Sequence, residues 1–90
     1  MKFTYDSAKN DSNFQKHGLR LSQAKLLDWG TALKWIDHRK EYGEKRWVAL
    51  VLMGQRMYCV VYVESDVTIR IVSLRKANIR EVVKYEEKDN

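Results

Sequence analysis

Proline is absent from the 90-residue sequence, and cysteine occurs once, at Cys59. A single cysteine excludes an intrachain disulfide and a cysteine-rich metal site. No apolar run approaches the ~18 residues that cross a bilayer, and the N-terminal segment lacks the continuous apolar core of a signal peptide. We therefore expect neither export nor membrane insertion, and a lone thiol fits a reducing cytoplasm.

Histidine is also scarce, with only His17 and His38. These two and Cys59 are scattered along the chain and do not have the spacing of metal ligands. The sequence contains no glycine-rich phosphate loop and no Ser-His-Asp set. We therefore expect no metal and no other cofactor, and the metal hydrolase and nucleoside triphosphatase classes are disfavoured.

The residues that are abundant describe a small basic globular protein. Hydrophobic residues make up 44% and charged residues 32% of the chain, which is enough to form a core in one domain spanning residues 1–90. Seventeen Lys and Arg against twelve Asp and Glu give a net charge of +5. This excess favours an anionic partner, which could be a nucleic acid, an acidic protein or a phosphorylated ligand.

The first third of the chain predicts a strand and two helices. A short strand over residues 2–5 precedes Asp6, whose carboxylate can cap a helix over about residues 7–16 that ends at Gly18. Ser22 is a second N-cap candidate, with Leu21 and Leu26 as a hydrophobic staple. We expect this second helix to run to about Trp29 and to end at Gly30.

Strands rich in Val, Ile, Tyr and Trp follow, and the sequence predicts them over residues 32–37, 46–53, 56–64 and 68–74. Tight turns at Gly54-Gln55 and Ser65-Asp66 would join the last three strands into an antiparallel meander. Asn78 and Glu81 have the spacing of a capping box for a final helix to about Tyr85. The predicted fold class is therefore α+β, with the order β-α-α-β-β-β-β-α.

Positive charge is concentrated where the last strand meets this helix. Strict alternation would place Arg70, Val72 and Leu74 on one face of the sheet. An arginine in the middle of a strand must reach solvent, a carboxylate or a ligand. Arg75, Lys76 and Arg80 follow near the start of the helix, whose dipole would add to their attraction for a phosphate. A solvated basic edge is the alternative for this cluster.

Three sequence blocks carry a family resemblance: YDSAKNDSNFQKHG at residues 5–18, EKR at residues 44–46, and IRIVSLRKANIREVVKY at residues 69–85. Together they resemble the BrnT family of toxins, partners of BrnA antitoxins in bacterial type II toxin-antitoxin operons. In the first block Asp6, Lys9 and Asn13 recur about one helical turn apart. An N-cap and two contacts that dock the helix on the sheet or the antitoxin explain that block without catalysis.

The resemblance implies a RelE-like fold, a curved antiparallel sheet backed by helices. It also implies a toxin that cleaves RNA without a metal and is neutralised by a BrnA-like antitoxin. A complex of two toxins and two antitoxins, bound to operator DNA through the antitoxin, is the assembly that it implies. Two rival functions stay open at this point, namely an inactive homologue that binds antitoxin as a co-repressor and a plain nucleic-acid-binding module.

Cleavage of RNA through its 2′-hydroxyl needs a base, an acid and cations that stabilise the phosphorane. Arg70 and Arg75 are the candidates for phosphate stabilisation, because a guanidinium can hold two phosphate oxygens. Glu44 is the first candidate for the base, with a surface ion pair as its ordinary alternative. His38, on the same polar segment, has the better intrinsic pKa and remains a competitor.

The remaining candidates would bind RNA without reacting. Three cations and two tyrosines are expected to contact the RNA, namely Arg46, Lys76, Arg80, Tyr58 and Tyr62. The cations would contact phosphates, and the two tyrosines would lie beside Arg70 and stack on splayed bases. Core packing is the alternative for the tyrosines.

Overall fold

A five-stranded sheet with two α-helices makes up the part of the chain that the computed structural model describes, residues 2–39 and 41–89. The elements are β1 (Lys2–Tyr5), α1 (Ser7–His17), a 3-10 helix (Leu21–Leu26), β2 (Asp28–Ile36), β3 (Trp47–Met53), β4 (Arg56–Glu64), β5 (Thr68–Lys76), α2 (Ile79–Glu86) and a short 3-10 turn (Glu87–Asp89). The α+β class is confirmed. Among the described residues no helix has the length and apolar character needed to span a membrane.

The strand order is β1-β5-β4-β3-β2. Strands β2 to β5 pair antiparallel with their neighbours, as the predicted meander requires, but β1 pairs parallel with β5. The expectation of an antiparallel sheet is therefore wrong for one edge, and the sheet is mixed. After β1 the chain crosses one face of the sheet through α1 and the 3-10 helix, and it then enters β2 at the opposite edge.

We call the face under α1 and the 3-10 helix the covered face. Its core consists of alternate residues of the central strands together with the 3-10 segment, and its fully buried members include Leu21, Ala24, Ala49, Val51, Val60, Tyr62, Ile71 and Leu74. Alternation along each strand sends the intervening side chains to the other side. We call that side, with Val48, Leu50, Cys59 and Val61 as its apolar floor, the open face.

Asn13 fastens α1 to the sheet. Its side-chain nitrogen donates to the carbonyls of Leu74 and Leu19, both at 2.8 Å, and its side-chain oxygen accepts from the Leu74 amide at 3.2 Å. The pairing of β1 with β5 stops at Ile71, so this amide group takes the place of a neighbouring strand at Leu74. Asn13 is 7% exposed, and its predicted role as a docking contact is confirmed.

An extra residue in β5 breaks the expected alternation. Val61 lies opposite Ser73 and Tyr62 lies opposite Ile71, which leaves Val72 as a β-bulge. Ile71 and Leu74 are consequently both buried on the covered face. The prediction that Leu74 shares a face with Arg70 is wrong, because the bulge reverses the alternation beyond it.

The second predicted helix is also wrong. Its residues form a 3-10 helix that ends at Leu26, and Gly30 lies inside β2 instead of ending a helix. Trp29 explains the difference, since its ring packs against Tyr62 with the centroids 5.2 Å apart and its Nε1 donates to the Ala24 carbonyl at 3.0 Å. Leu26 is 60% exposed, so no hydrophobic staple forms with Leu21.

The predicted end signals are confirmed elsewhere. Asp6 accepts from the Lys9 amide at 3.0 Å and caps α1, and Gly18 ends that helix with φ 73°. Gly54 has φ 63° in the turn between β3 and β4. The capping box of α2 forms in both directions, with Asn78 and Glu81 each accepting from the other's amide at 2.9 Å.

Candidate nucleic-acid interface

Three cavities of the open face adjoin one another through shared residues. Helix α2 lies over one end of this face, where Tyr85 packs on the apolar floor and donates to the Thr31 carbonyl at 2.7 Å. The segment of residues 37–46, which joins β2 to β3, borders all three cavities. Their volumes are about 660, 540 and 510 Å³.

Asp37 holds the described part of this segment in place. Its carboxylate accepts from the Arg39 amide at 3.1 Å, from Arg39 Nε and Nη2 at 2.8 Å each, and from the Tyr42 hydroxyl at 3.0 Å. The Asp37 side chain is only 1% exposed. Hydrogen bonds from Arg39 hold the pKa of Asp37 well below its usual range, although burial alone would raise it. Asp37 is therefore an ionised, fully satisfied anchor.

Glu44 lies between two arginines in the first cavity, of about 660 Å³. Its Oε2 accepts from Arg70 Nη2 at 2.5 Å, and the same oxygen is 3.6 Å from Arg46 Nε. Arg46 stacks on the Tyr42 ring at 4.2 Å, and its buried Nε has no hydrogen-bond partner among the described residues. This cavity, which we call the Glu44 cavity, therefore holds a carboxylate and two guanidinium groups in direct proximity.

Arg75 and Glu81 form a second pair at the start of α2. Arg75 Nη1 and Nη2 donate to the two carboxylate oxygens of Glu81 at 2.8 and 2.9 Å. The hydrogen bonds that Arg75 donates to Glu81 raise the pKa of Arg75. Burial alone would raise the pKa of Glu81, but hydrogen bonds from Arg75 and the Asn78 amide outweigh it and lower that pKa. The bidentate geometry fixes the Arg75 guanidinium at the wall of the cavity of about 510 Å³, which we call the Arg75 cavity.

Comparison with known protein families shows which family this chain belongs to. The family model described as "Ribonuclease toxin, BrnT, of type II toxin-antitoxin system" matches residues 5–81. The chain belongs to this family. No individual curated protein matches the sequence. BrnT toxins are ribonucleases of type II toxin-antitoxin systems, so membership implies an RNA target and a protein antitoxin as partner.

The two arginines predicted to act together on a phosphate lie apart in this BrnT chain. Arg70 lines the Glu44 cavity and Arg75 lines the Arg75 cavity, and none of the three cavities includes both among its described lining residues. They are five positions apart along β5, which is roughly 16 Å in a regular strand at ~3.3 Å per residue. The bulge at Val72 does bring both to the open face. The expectation of one shared phosphate pocket is wrong.

His38 and Glu44, the predicted acid-base candidates, border the same middle cavity of about 540 Å³. His38 is exposed, and it also lines the Arg75 cavity. The segment from β2 to β3 therefore brings a histidine and a carboxylate to one continuous concave surface. Lys76 and Arg80 are exposed near the first turn of α2, and the described lining of these three cavities does not include them.

Tyr58 and Tyr62 do not lie beside Arg70. They are 8% and 1% exposed within the core of the covered face, opposite the BrnT cavities. Burial raises the pKa of Tyr62 to about 12. Their predicted role in stacking on RNA bases is wrong, and core packing, the alternative for both, is what the structure has.

The sequence did not predict the structural roles of three residues of this candidate interface, namely Asp37, Tyr42 and Glu81. Asp37 was visible as a carboxylate at the end of a predicted strand, two residues before an arginine. Glu81 was visible only as a helix cap. Tyr42 gave no signal, since a lone tyrosine in a polar segment reads as exposed. Among the described residues, no three His, Cys, Asp or Glu side chains come together as a metal-ligand set.

Proposed function

We propose that this BrnT-family protein is an endoribonuclease toxin that cleaves RNA at the Glu44 cavity by attack of the ribose 2′-hydroxyl, without a metal. One observation carries the proposal: a single carboxylate oxygen of Glu44 lies 2.5 Å from Arg70 Nη2 and 3.6 Å from Arg46 Nε. RNA supplies its own nucleophile, so a base and two cations in one open cavity meet the main chemical need.

In the proposed reaction a phosphate oxygen of RNA takes the place of Glu44 on Arg70. Glu44, released from this contact and still beside Arg46, accepts the proton of the 2′-hydroxyl. The 2′-oxygen forms a bond to phosphorus while the bond from phosphorus to the 5′-oxygen breaks. The products are a 2′,3′-cyclic phosphate and a 5′-hydroxyl. Arg70 and Arg46 stabilise the charge that builds up on the phosphorane.

His38 is the proposed acid for the leaving 5′-oxygen, because it borders the middle cavity together with Glu44. A protonated imidazole can donate this proton. Arg75 then contacts the RNA on one side of the cleaved bond. Lys76 and Arg80 extend the positive surface past the start of α2. Phosphate contacts from Lys76 and Arg80 supply salt-sensitive affinity with little sequence preference.

The partner and setting belong to the same proposal. The protein acts in the cytoplasm, where a BrnA-like antitoxin neutralises it in a complex of two toxins and two antitoxins that binds operator DNA through the antitoxin. The mixed sheet with helices on its faces supports a RelE-like fold. No cofactor takes part.

A second function is favoured by a specific observation. Both Arg70 and Arg75 already donate to carboxylates of the same chain. An inactive homologue that only binds its antitoxin and tunes a DNA-bound repressor would have the same contacts. Since Glu44 is 33% and Arg70 is 48% exposed, a phosphate can reach their pair, and the enzyme is the function that we favour.

Purified protein incubated with RNA in EDTA separates the two functions. We expect cleavage that leaves 2′,3′-cyclic phosphate ends and that falls by roughly one hundredfold or more in Arg70→Ala and in Glu44→Gln, by analogy with the loss of other charge-stabilising groups. An Arg56→Ala variant is the matched control, because Arg56 is exposed at the turn between β3 and β4. RNA that stays intact with the wild type, with and without ribosomes, would support the inactive homologue. Full activity in both site variants would remove Glu44 and Arg70 from the reaction.

A further inference from the structure

The Arg75 cavity has the construction of a subsite for a base. Its floor is apolar, formed by Val48, Val61 and Cys59 with Trp35 at one side. Its polar wall includes Arg75, and its volume of about 510 Å³ lies in the range of small-molecule sites. An apolar floor with a few fixed polar groups at the wall suits a flat heteroaromatic ring better than a phosphate.

The orientation of Arg75 defines what this wall can recognise. The end of the guanidinium, Nη1 and Nη2, faces Glu81, and Nη1 also donates to the Lys76 carbonyl at 3.2 Å. The lateral edge consists of Nε–H and the second hydrogen of Nη2. These two donors have no partner among the described residues, and the Arg75 side chain is 34% exposed. The side chain thus presents two parallel donors that are free to bind.

Glu81 keeps that edge in a fixed direction. Its carboxylate is 17% exposed, and it also accepts from the Asn78 amide at 2.9 Å as part of the α2 capping box. The guanidinium therefore cannot rotate without breaking a bidentate ion pair that is tied to the start of the helix. A donor edge held in this way is prepared for binding before RNA arrives.

We infer that the Arg75 cavity binds a nucleobase that flanks the cleaved bond, and that the lateral edge of Arg75 selects bases with two adjacent acceptors. Guanine offers O6 and N7, and cytosine offers O2 and N3. Adenine and uracil have no two adjacent acceptors and would leave one Arg75 donor unpaired. This inference rests on the proposed ribonuclease function and adds a substrate preference to it.

The alternative occupant of the lateral edge is a backbone phosphate, which also offers two acceptors. A phosphate contact would lower cleavage of all sequences equally when it is weakened, whereas a base contact would change the preference at one position. Lysine at position 75 keeps the positive charge but cannot form the planar fork. Arg75→Lys therefore separates the two contacts.

The test is cleavage of an RNA pool with randomised sequence, followed by mapping of the cut sites. We expect the wild type to prefer guanine or cytosine over adenine and uracil by roughly fivefold or more at one position near the cut. In Arg75→Lys this preference should fall towards onefold while cleavage continues. If guanine is the preferred base, replacing it by 7-deazaguanine, which lacks the N7 acceptor, shows whether the preference depends on the O6 and N7 edge.

Two further variants protect the test against a folding defect. Glu81→Gln keeps a side chain that can cap α2 but weakens the hold on Arg75, so it should reduce the preference without abolishing cleavage. Arg56→Lys makes the same chemical change at an exposed position that does not line the Glu44 cavity, the middle cavity or the Arg75 cavity, and it should keep the wild-type pattern. The melting temperature of each variant is measured by circular dichroism.

The outcomes distinguish this inference from the proposed function. A wild type that cuts RNA with no base preference, with a preference for adenine or uracil, or with a preference that Arg75→Lys and Glu81→Gln both leave intact would overturn the subsite alone. If the wild type does not cut RNA, the proposed function fails, and binding of 2′-O-methyl oligonucleotides that differ at one base then tests the subsite. Equal affinity for all four bases in that assay would overturn it, and a fivefold preference that Arg75→Lys removes would support it.

Discussion

The two faces of the sheet differ in how their polar groups are satisfied. On the covered face the polar contact is the side-chain amide of Asn13, buried and bonded to the backbone of β5. On the open face the Arg70 guanidinium meets the Glu44 carboxylate while both remain partly exposed. Burial makes the first kind of contact important for folding, and exposure makes the second kind weak and exchangeable. The stability and the proposed chemistry of this protein therefore depend on different sides of one sheet.

The largest effect should come from the core of the covered face. Tyr62→Ala removes a ring that is 1% exposed and packs on Trp29, so we expect the free energy of unfolding to fall by about 3–5 kcal/mol. Leu26→Ala, at a position that is 60% exposed, is the control and should stay within ~0.5 kcal/mol. Urea unfolding measures both. Equal losses would contradict the assignment of Tyr62 to the core.

Asn13→Ala should have the next largest effect. It leaves the amide and the carbonyl of Leu74 without their partner, which should lower the free energy of unfolding by about 2–3 kcal/mol. Ser12→Ala on the same helix removes only an exposed hydrogen bond and should cost less than ~0.5 kcal/mol. Amide hydrogen exchange at Leu74 measures the local effect. Unchanged protection of the Leu74 amide would argue that Asn13 does not replace a neighbouring strand at this position.

Asp37 is an intermediate case in this comparison, because its side chain is buried like that of Asn13 but charged like that of Glu44. Its lowered pKa means that its contribution to stability is complete above the unfolded value of ~3.9 and is lost as the pH falls below it. Asp37→Asn should therefore cost about 1.5–3 kcal/mol at neutral pH and progressively less as the pH is lowered below ~3.9.

Unfolding of wild type and Asp37→Asn across this pH range measures the effect. Asp66→Asn, in the exposed turn between β4 and β5, is the matched control. A difference between wild type and Asp37→Asn that stays constant down to the lowest pH would show that the Asp37 charge is not what stabilises the segment between β2 and β3.

The smallest effect on stability should come from the arginine that matters most to the proposed chemistry. The Arg70 and Glu44 side chains are 48% and 33% exposed, so a double-mutant cycle of Arg70→Ala with Glu44→Gln should give a coupling of only about 0–1 kcal/mol. The same variants should cut RNA cleavage by roughly one hundredfold. A coupling above ~2 kcal/mol would instead make this pair a structural element of the open face.

Local signals explain why much of the fold could be predicted. Asp6, Gly18, Gly54 and the Asn78–Glu81 pair act through their own backbone neighbours, so their effects can be read from short stretches of sequence. The run of β-branched and aromatic residues from β3 to β5 likewise gave the meander. The family resemblance, confirmed by the match over residues 5–81, pointed to a ribonuclease toxin, which composition alone could not indicate.

The errors arose where tertiary contacts override local signals. Gly30 looks like a helix end, but Trp29 packs into the core beside it and draws the segment into β2. One extra residue at Val72 changes which face every later side chain of β5 occupies, and no pattern in the strand reveals it. The partners of Arg70 and Arg75 lie 26 and 6 residues away, so charge spacing along the strand could not identify them.

The pairing of Arg70 with a carboxylate of its own chain has a consequence for binding thermodynamics. A free surface cation releases a condensed counterion from RNA when it docks, which makes affinity fall steeply with salt. At Arg70 the phosphate exchanges with an internal carboxylate, and the displaced Glu44 stays nearby and repels the polyanion. The slope of log affinity against log salt should therefore reflect the number of unpaired surface cations that contact RNA. Glu44→Gln leaves Arg70 unpaired and should make this slope steeper, even if the variant no longer cleaves RNA.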